Sequence, residues 1–200
     1  MVEVRNRSDD WEVEMLLLSA FFGKKWHYAD SREEISRLID EMMASLKGEE
    51  GGGHVYSPGN DAWLCLAGRR STDQSPVSSS NLRVSVNWRT KYGALIWFVD
   101  EQFPAKGGIY DSVWISDNPE PLDCDPRVVS DPGYPLFHDL ASALPVSQVR
   151  WAVEEFCYER SGARPDCIRW VSGQMNGQRL DRPSIVQFVE DPEIDWSELR

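Results

Sequence analysis

The most informative stretch of the sequence is LPVSQVRWAVEEFCYERSGARPDCIRW, residues Leu144 to Trp170. Pro145 and Ser147 are suited to open a helix, because proline rigidifies the entry and a serine hydroxyl can cap the first free amides. The apolar side chains that follow lie on one face at helical spacing. They are Val149, Ala152, Val153, Phe156 and Cys157. The stretch therefore predicts an amphipathic helix at about 147–161.

The residues after this helix predict its end and a following strand. Gly162 can adopt the left-handed conformation that terminates a helix, and Pro165 prevents the helix from continuing. Ile168, Trp170 and Val171 then form a short, largely apolar run, which is typical of a strand. The helix, its stop and the strand together form one unit of the predicted fold.

This unit resembles the C-terminal signature of the first-numbered family of immunity proteins found beside bacterial polymorphic toxins. The family pattern is eF…tG.RP..v.W. It is matched in this chain by Glu155, Phe156, Gly162, Arg164, Pro165, Ile168 and Trp170. Ser161 stands where the family often has threonine. The run from Gly93 to Trp97 resembles the family's central strand, so the resemblance covers about residues 62–172.

The resemblance implies a function and a set of structural residues. One member of the family protects against a double-stranded-DNA cytosine deaminase toxin. By resemblance, this chain is expected to bind and neutralise a cognate toxin, a deaminase that targets nucleic acid, by blocking the toxin's active site. The resemblance also marks a structural signature, which consists of Phe156, Gly162, Arg164, Pro165 and Trp170.

Another helix is predicted closer to the N-terminus, at about 31–47. Ser31 and Glu34 have the spacing of a capping box, in which each side chain bonds to the backbone of the other residue. Apolar residues then repeat at helical spacing. They are Ile35, Leu38, Ile39, Met42, Met43 and Leu46.

Two adjacent runs give the clearest strand patterns. Leu82–Trp88 alternates apolar and polar residues, and Tyr92–Asp100 is almost continuously apolar, as expected of a central strand. The intervening residues 89–91 are short enough for a hairpin turn. Further strands are predicted at Trp11–Ala20, Lys24–Tyr28, Asp61–Ala67, Tyr110–Ser116, Val128–Val129 and Ile185–Val189.

Together these elements predict an α+β fold. We expect a mostly antiparallel, curved sheet of about six strands packed against two main helices, at about 31–47 and 147–161. A length of 200 residues fits one immunity-protein-like domain over 1–200, with residues 191–200 as a loose tail.

The composition restricts the possible partners. The net charge is −12, which makes nucleic acid and anionic membranes poor partners and favours a basic protein. Met1 to Asp10 is polar and charged, unlike a signal peptide, and the apolar run Met15–Phe22 is too short to span a bilayer. We therefore expect a cytoplasmic protein without membrane association.

The cysteines and tryptophans are interpreted as structural. Cys65 and Cys157 lie on predicted apolar faces, which indicates buried thiols in a reducing compartment. A disulfide between Cys157 and Cys167 is the less favoured alternative. Five of the nine tryptophans are expected in elements that face the core. They are Trp63, Trp88, Trp97, Trp151 and Trp170.

The segment 100–139 is the candidate partner-binding region. It contains nine acidic and two basic residues, a net charge of −7, together with aromatic residues that could anchor a partner. The candidate binding residues are Asp111, Trp114, Asp117, Glu120, Asp123, Asp125 and Tyr134. In the alternative interpretation, the aromatic side chains fix a loop onto the sheet and the carboxylates are merely solvated.

The sequence contains no recognisable catalytic, metal-binding or cofactor-binding motif. Zinc-site spacings of cysteine and histidine are lacking, and Gly51–Gly53 lacks the lysine of a phosphate-binding loop. A small hydrolase that uses His138 and a nearby acid such as Asp139 remains an alternative function. A regulatory module that binds another protein through the acidic segment is a further alternative.

Overall fold

A computed structural model of the chain describes residues 16–47, 60–74, 77, 79–100, 113–120, 122–131 and 136–183. Within these residues the chain forms two α-helices, α1 (Arg32–Ser45) and α2 (Val146–Glu159). A single 3₁₀ turn lies at Leu140–Ser142. The strands are β1 (Leu17–Phe22), β2 (Lys25–Ala29), β3 (Asn60–Ala67), β4 (Ser80–Asn87), β5 (Tyr92–Val99), β6 (Val113–Asp117), β7 (Val129–Asp131), β8 (Leu136–Phe137), β9 (Leu144–Pro145) and β10 (Arg169–Ser172).

The strands form an open antiparallel sheet in the order β10-β6-β5-β4-β3-β1-β2, with the short β9 paired to β5. Strands β7 and β8 form a separate two-stranded sheet. The α+β fold with two helices and a large antiparallel sheet is thus confirmed. The sheet has eight strands where the sequence predicts about six, because elements as short as β9 carry no periodicity to detect.

The hairpin of β4 and β5 forms the centre of the sheet, as the alternation of β4 and the apolar run of β5 predict. Leu82 lies opposite Trp97, and Val84 lies opposite Leu95. The predicted turn is present, and Lys91 in it adopts a left-handed backbone conformation with φ 66°. Its amide donates to the carbonyl of Asn87, which closes the turn.

One face of the sheet packs against both helices and forms the main core. The predicted capping box at the start of α1 is present, with mutual bonds between Ser31 and Glu34. Helix α2 buries its predicted stripe against β4 and β5. The largest fully buried side chains of this core are Leu18, Ile39, Met42, Leu46, Leu64, Leu66, Leu82, Leu95, Leu144 and Val84.

The ends of α2 differ from the sequence prediction. The N-cap residue is Pro145, which offers no side-chain cap, and Ser147 lies inside the helix. The helix ends at Arg160, which adopts the left-handed conformation with φ 50°, and Gly162 adopts it again with φ 75°. An arginine can occupy this strained position here because its side chain is held by hydrogen bonds described below.

The second face of the sheet is also covered over β4 and β5. Three polar residues of β4 that alternate with its apolar ones, Arg83, Ser85 and Asn87, are all buried. The side-chain amide of Asn87 donates to the carbonyl of Pro126 at 2.9 Å, which fastens the segment after β6 to this face. Val128 of the same segment packs there in a small apolar cluster with Ala94 and Ala143. The alternation in β4 therefore separates two buried faces rather than a core and a solvent face.

All four cysteines are free thiols, and Cys65 and Cys157 are buried as predicted. The alternative of a Cys157–Cys167 disulfide is therefore wrong for this structure. Of the five tryptophans expected in elements that face the core, Trp151 is 58% exposed on α2, and Trp63 lies on the sheet face away from the helices. The predicted strand at Ile185–Val189 lies outside the described residues.

Candidate functional site

The signature residues form a junction between α2, β4 and the edge strands. The carbonyl of Gly162 accepts a hydrogen bond of 2.6 Å from the hydroxyl of Ser80. The indole of Trp170 donates to the carbonyl of Pro165 at 2.7 Å. These bonds make the turn after α2 a fixed corner, from which the chain enters β10.

Arg160 and Glu155 extend this junction. The guanidinium of Arg160 is buried and donates to the carbonyls of Leu16 at 2.7 Å and Asp30 at 2.9 Å. Glu155 accepts from the amides of Asp166 and Cys167. Burial would raise the pKa of Glu155, but these hydrogen bonds outweigh it and lower the pKa below its ordinary value. The contacts of the signature thus stabilise the fold. The groups described here are engaged in structural hydrogen bonds and are not arranged for catalysis.

The candidate binding residues divide between the two faces of the sheet. Asp117 lies on the face away from the helices and pairs with Arg179 at 2.8 Å and Arg169 at 3.5 Å. Trp114 lies on the helix face, opposite Trp97 in the neighbouring strand. The fold therefore does not bring Trp114 and Asp117 together on one surface.

Three of the remaining candidates lie in the loop after β6. Glu120, Asp123 and Asp125 are all exposed. Asp125 also accepts a hydrogen bond of 2.7 Å from the amide of Arg127, which shapes the loop. Asp111 and Tyr134 lie outside the described residues.

His138, the base of the alternative hydrolase function, is buried in the layer between the sheet and β7. Neither ring nitrogen has a hydrogen-bond partner among the described residues. Burial, together with the charge of Arg83, lowers its pKa to about 3, so the ring is neutral at physiological pH. The adjacent Asp139 is directed elsewhere, since it accepts from the amide of Ala141 and from Arg182. The alternative in which His138 pairs with Asp139 therefore finds no support among the described residues.

A cavity of about 410 Å³ lies at the other end of the same sheet face. It is lined by Phe21, Trp26, Trp63, Cys65, Ser71, Thr72, Asp73, Val77, Ser79 and Asn81. The sequence interpretation missed this site, because the lining residues come from four strands and from the loop between β3 and β4. The only sequence signal is the clustering of tryptophans with polar loop residues, and that pattern is typical of ordinary cores as well.

The aromatic walls of this cavity are held in fixed orientations. The rings of Phe21 and Trp26 are 5.3 Å apart and inclined by 60°. The indole nitrogen of Trp26 donates to the carboxylate of Asp73 at 2.7 Å. On the opposite wall, Trp63 meets Phe98 edge-on at 5.6 Å.

Polar groups beside the cavity form hydrogen bonds with its wall residues. Asp61 accepts from the indole of Trp63 at 3.2 Å and from Arg83 at 3.0 Å, so Arg83 is held in an ion pair. The thiol of Cys65 lies 3.0 Å from the hydroxyl of Ser71. Burial raises the pKa of Cys65, so this thiol is a weak nucleophile. The cavity can bind a group but offers no activated nucleophile among its described residues.

Other classes of site find little support in the described residues. No group of three or more histidine, cysteine, aspartate or glutamate side chains is arranged to hold a metal ion in this part of the chain. No helix among the described residues has the length and apolarity needed to cross a membrane.

Comparison with protein-family models matches residues 23–172 to the family described as Immunity protein Imm1. Comparisons with curated proteins and with solved structures gave no match. The matched range begins well before residue 62, so β2 and α1 belong to the family domain, beyond the extent expected from the resemblance, whereas β1 precedes the matched range. It also includes the whole signature from Phe156 to Trp170. Since the match covers three quarters of the 200 residues, the chain belongs to the Imm1 family of immunity proteins.

Proposed function

We propose that this protein neutralises a cognate bacterial toxin, a deaminase that acts on nucleic acid, by binding it in the cytoplasm and covering its active site. The observation that carries the proposal is family membership over residues 23–172, since immunity proteins act against toxins. A stoichiometric inhibitor of this kind needs a binding surface and no catalytic groups of its own.

The charge of the protein supports a basic partner. A toxin that acts on nucleic acid presents a basic cleft to the phosphate backbone, and a protein of net charge −12 gains fast, steered association with such a cleft. We propose that the acidic segment contacts the toxin through the residues Asp111, Trp114, Asp117, Glu120, Asp123, Asp125 and Tyr134.

The described members of this set would have different roles. Glu120, Asp123 and Asp125 are exposed, so their carboxylates are available to basic groups of the toxin. Asp117 is already paired with Arg179, so its main contribution would be to fix the base of the loop. Trp114 would act indirectly, through the packing that holds β6 in place.

Co-expression with a toxin encoded beside this gene tests the proposed function. We expect the two proteins to co-purify and the immunity protein to restore growth. In vitro, deamination of cytosine in a DNA substrate should stop at about one immunity protein per toxin. A toxin that shows no binding to this protein would contradict the proposal. A bound toxin of different chemistry would contradict only its deaminase part.

Charge variants test the acidic surface separately. The triple variant Glu120→Gln, Asp123→Asn and Asp125→Asn should weaken toxin binding about tenfold or more at low salt and reduce its salt dependence. The matched control is Glu41→Gln with Glu159→Gln, which removes exposed carboxylates from the helices. If the triple variant and the control bind the toxin with equal affinity and equal salt dependence, the acidic loop does not contact the toxin.

A further inference from the structure

We infer that the aromatic cavity between β1, β2, β3 and the loop after β3 is a second docking site, which receives a basic side chain of the toxin. The inference rests on the proposed function and adds to it the chemistry of one contact. The acidic segment provides a broad field of charge, whereas this cavity would bind a single lysine or arginine.

The first argument is the exposure of aromatic surface. Phe21, Trp26 and Trp63 are only partly buried, although each lies on a strand of the main sheet. Register places all three on the face away from the helices, which is also the face of Asp117. Partly exposed aromatic side chains around a concave site are typical of the anchoring points of protein interfaces.

The second argument is the charge of the lining. Among the described lining residues, Asp73 is the one carboxylate, and none is lysine, arginine or histidine. Asp100 lies just behind the wall, where it accepts from the amide of Ser79 at 2.8 Å. Two arginines of neighbouring segments are held in ion pairs, Arg70 with Asp30 and Arg83 with Asp61. The site is therefore negative and complementary to a cation.

The third argument is that a cation fits this arrangement of rings. Cations bind over aromatic faces, and tryptophan is the strongest such partner. One cation is already seated against a wall residue, since Arg83 lies 5.3 Å from the ring centroid of Trp63. The indole N–H of Trp26 donates a hydrogen bond to Asp73, which enriches the ring in electron density and places a counter-charge beside it. A guanidinium or ammonium group inserted here would meet π-faces and a carboxylate together.

A basic protein side chain also suits the site better than a nucleobase. A base could stack on the same rings, but its phosphates would approach Asp73 and a chain of net charge −12. A toxin that binds nucleic acid, by contrast, carries lysine and arginine on its working surface. A positively charged side chain in the cavity is thus consistent with the basic toxin proposed as the partner.

The experiment measures the affinity of a catalytically inactive form of the adjacent-gene toxin by isothermal titration calorimetry. We expect Asp73→Asn and Trp26→Leu each to weaken binding about tenfold, and Thr72→Arg to weaken it at least as much. Thr72 is exposed, so its variant adds a repelling charge at the cavity without disturbing the core. Thermal unfolding of each variant checks that the fold is retained.

Matched controls lie on the helix side of the molecule. Glu41→Gln removes an exposed carboxylate from α1, and Trp151→Leu removes an exposed indole from α2. Both should bind the toxin as tightly as the parent protein. A double-mutant cycle between Asp73→Asn and glutamine variants of the toxin's basic residues should identify one toxin residue with strong coupling.

The outcomes separate this inference from the proposed function. If the parent protein does not bind the toxin, the proposed function fails and the inference fails with it. If the parent binds and Thr72→Arg binds equally well, the cavity inference alone is overturned. A single-stranded DNA oligonucleotide serves as a second probe. Loss of oligonucleotide binding in Trp26→Leu, with toxin affinity unchanged, would identify a nucleobase as the occupant and overturn the inference.

Discussion

Arg164 lies over the indole of Trp114, with its Cζ atom 3.8 Å from the ring centroid. The contact joins the signature loop after α2 to strand β6, which precedes the acidic loop. Two residues that the sequence treats separately, one in the family signature and one among the candidate binding residues, thus belong to one contact. The contact between Arg164 and Trp114 would therefore affect toxin binding only indirectly, by holding β6 in position.

Replacing Arg164 should destabilise the protein. We expect Arg164→Ala to lower the free energy of unfolding by about 1–2 kcal/mol, because it removes a close cation–π contact. Arg164→Lys should recover only part of the loss, since an ammonium group does not stack as a planar guanidinium does. Urea unfolding measures both. The control is Arg169→Ala, whose side chain is 69% exposed and which should change stability by less than about 0.5 kcal/mol.

Gly93 should not tolerate a side chain. A Cβ atom at this position would lie 2.6 Å from the carbonyl oxygen of Ser85 and 3.1 Å from a methyl group of Val149. We expect Gly93→Ala to cost at least about 2 kcal/mol of unfolding free energy, since backbone of the central hairpin must move. The control is Gly68→Ala, where a Cβ would meet no atom within 4 Å. Similar unfolding midpoints for both variants would contradict the packing described for α2 on β5.

The protein should lose stability in mild acid because of His138. Its pKa is about 3 in the folded protein and 6.5 in an ordinary environment, so the unfolded chain binds a proton first as the pH falls. The free energy of unfolding is therefore expected to decrease below about pH 6.5, by up to about 1.4 kcal/mol per pH unit.

Urea unfolding at pH 7, 6 and 5 measures this dependence, above the range in which most carboxylates titrate. His138→Phe should remove most of the slope, whereas His27→Gln should retain it because His138 is still present. A slope that persists in His138→Phe would mean that another group is responsible.

Arg179 should be the most important ion-pair residue for the base of the acidic loop. Its side chain is 4% exposed and donates to Asp117, to Asp181 and to the carbonyl of Ala141. We expect Arg179→Ala to cost about 2–3 kcal/mol, because Asp117 is then left partly buried without its closest partner. Arg182→Ala is the control, since the Arg182 side chain is 44% exposed and its ion pair with Asp139 should contribute less than about 1 kcal/mol.

The four cysteines should react with thiol reagents in a definite order. Cys124 is exposed and should be labelled first in the native protein. Cys167 is also exposed, but burial of its thiol and the neighbouring Glu155 raise its pKa to about 12, so it should react more slowly. Cys65 and Cys157 should react only after unfolding. Mass spectrometry of time points gives the order, and early labelling of Cys157 would contradict its burial.

Sequence periodicity was sufficient to predict the helices and the central hairpin, because the apolar pattern of each element repeats over many residues. Helix α1 shows this best, since its capping box and its apolar stripe agree. Trp151 was wrongly expected to face the core, because a tryptophan on a helix carries no sign of which neighbours will cover it. The strained backbone at Arg160 depends on hydrogen bonds to residues more than a hundred positions away.

The cavity could not be predicted for a related reason. Phe21, Trp26 and Trp63 each fit a strand, and their meeting depends on the register between β1, β2 and β3. The burial of Arg83 likewise depends on the segment after β6, whose many prolines give no periodic signal. The site is formed by contacts between segments distant in the sequence, which local patterns do not reveal. The main helices and strands follow from local patterns, which is why they could be predicted.

The buried guanidinium of Arg160 couples the unfolding of two regions of the molecule. It binds the backbone where β1 begins, at Leu16, and where β2 ends, at Asp30, from the C-terminal end of α2. The first hairpin therefore cannot fray without also releasing the last turn of that helix. Amide protons of both regions should exchange with solvent at similar rates, as a single cooperative unit.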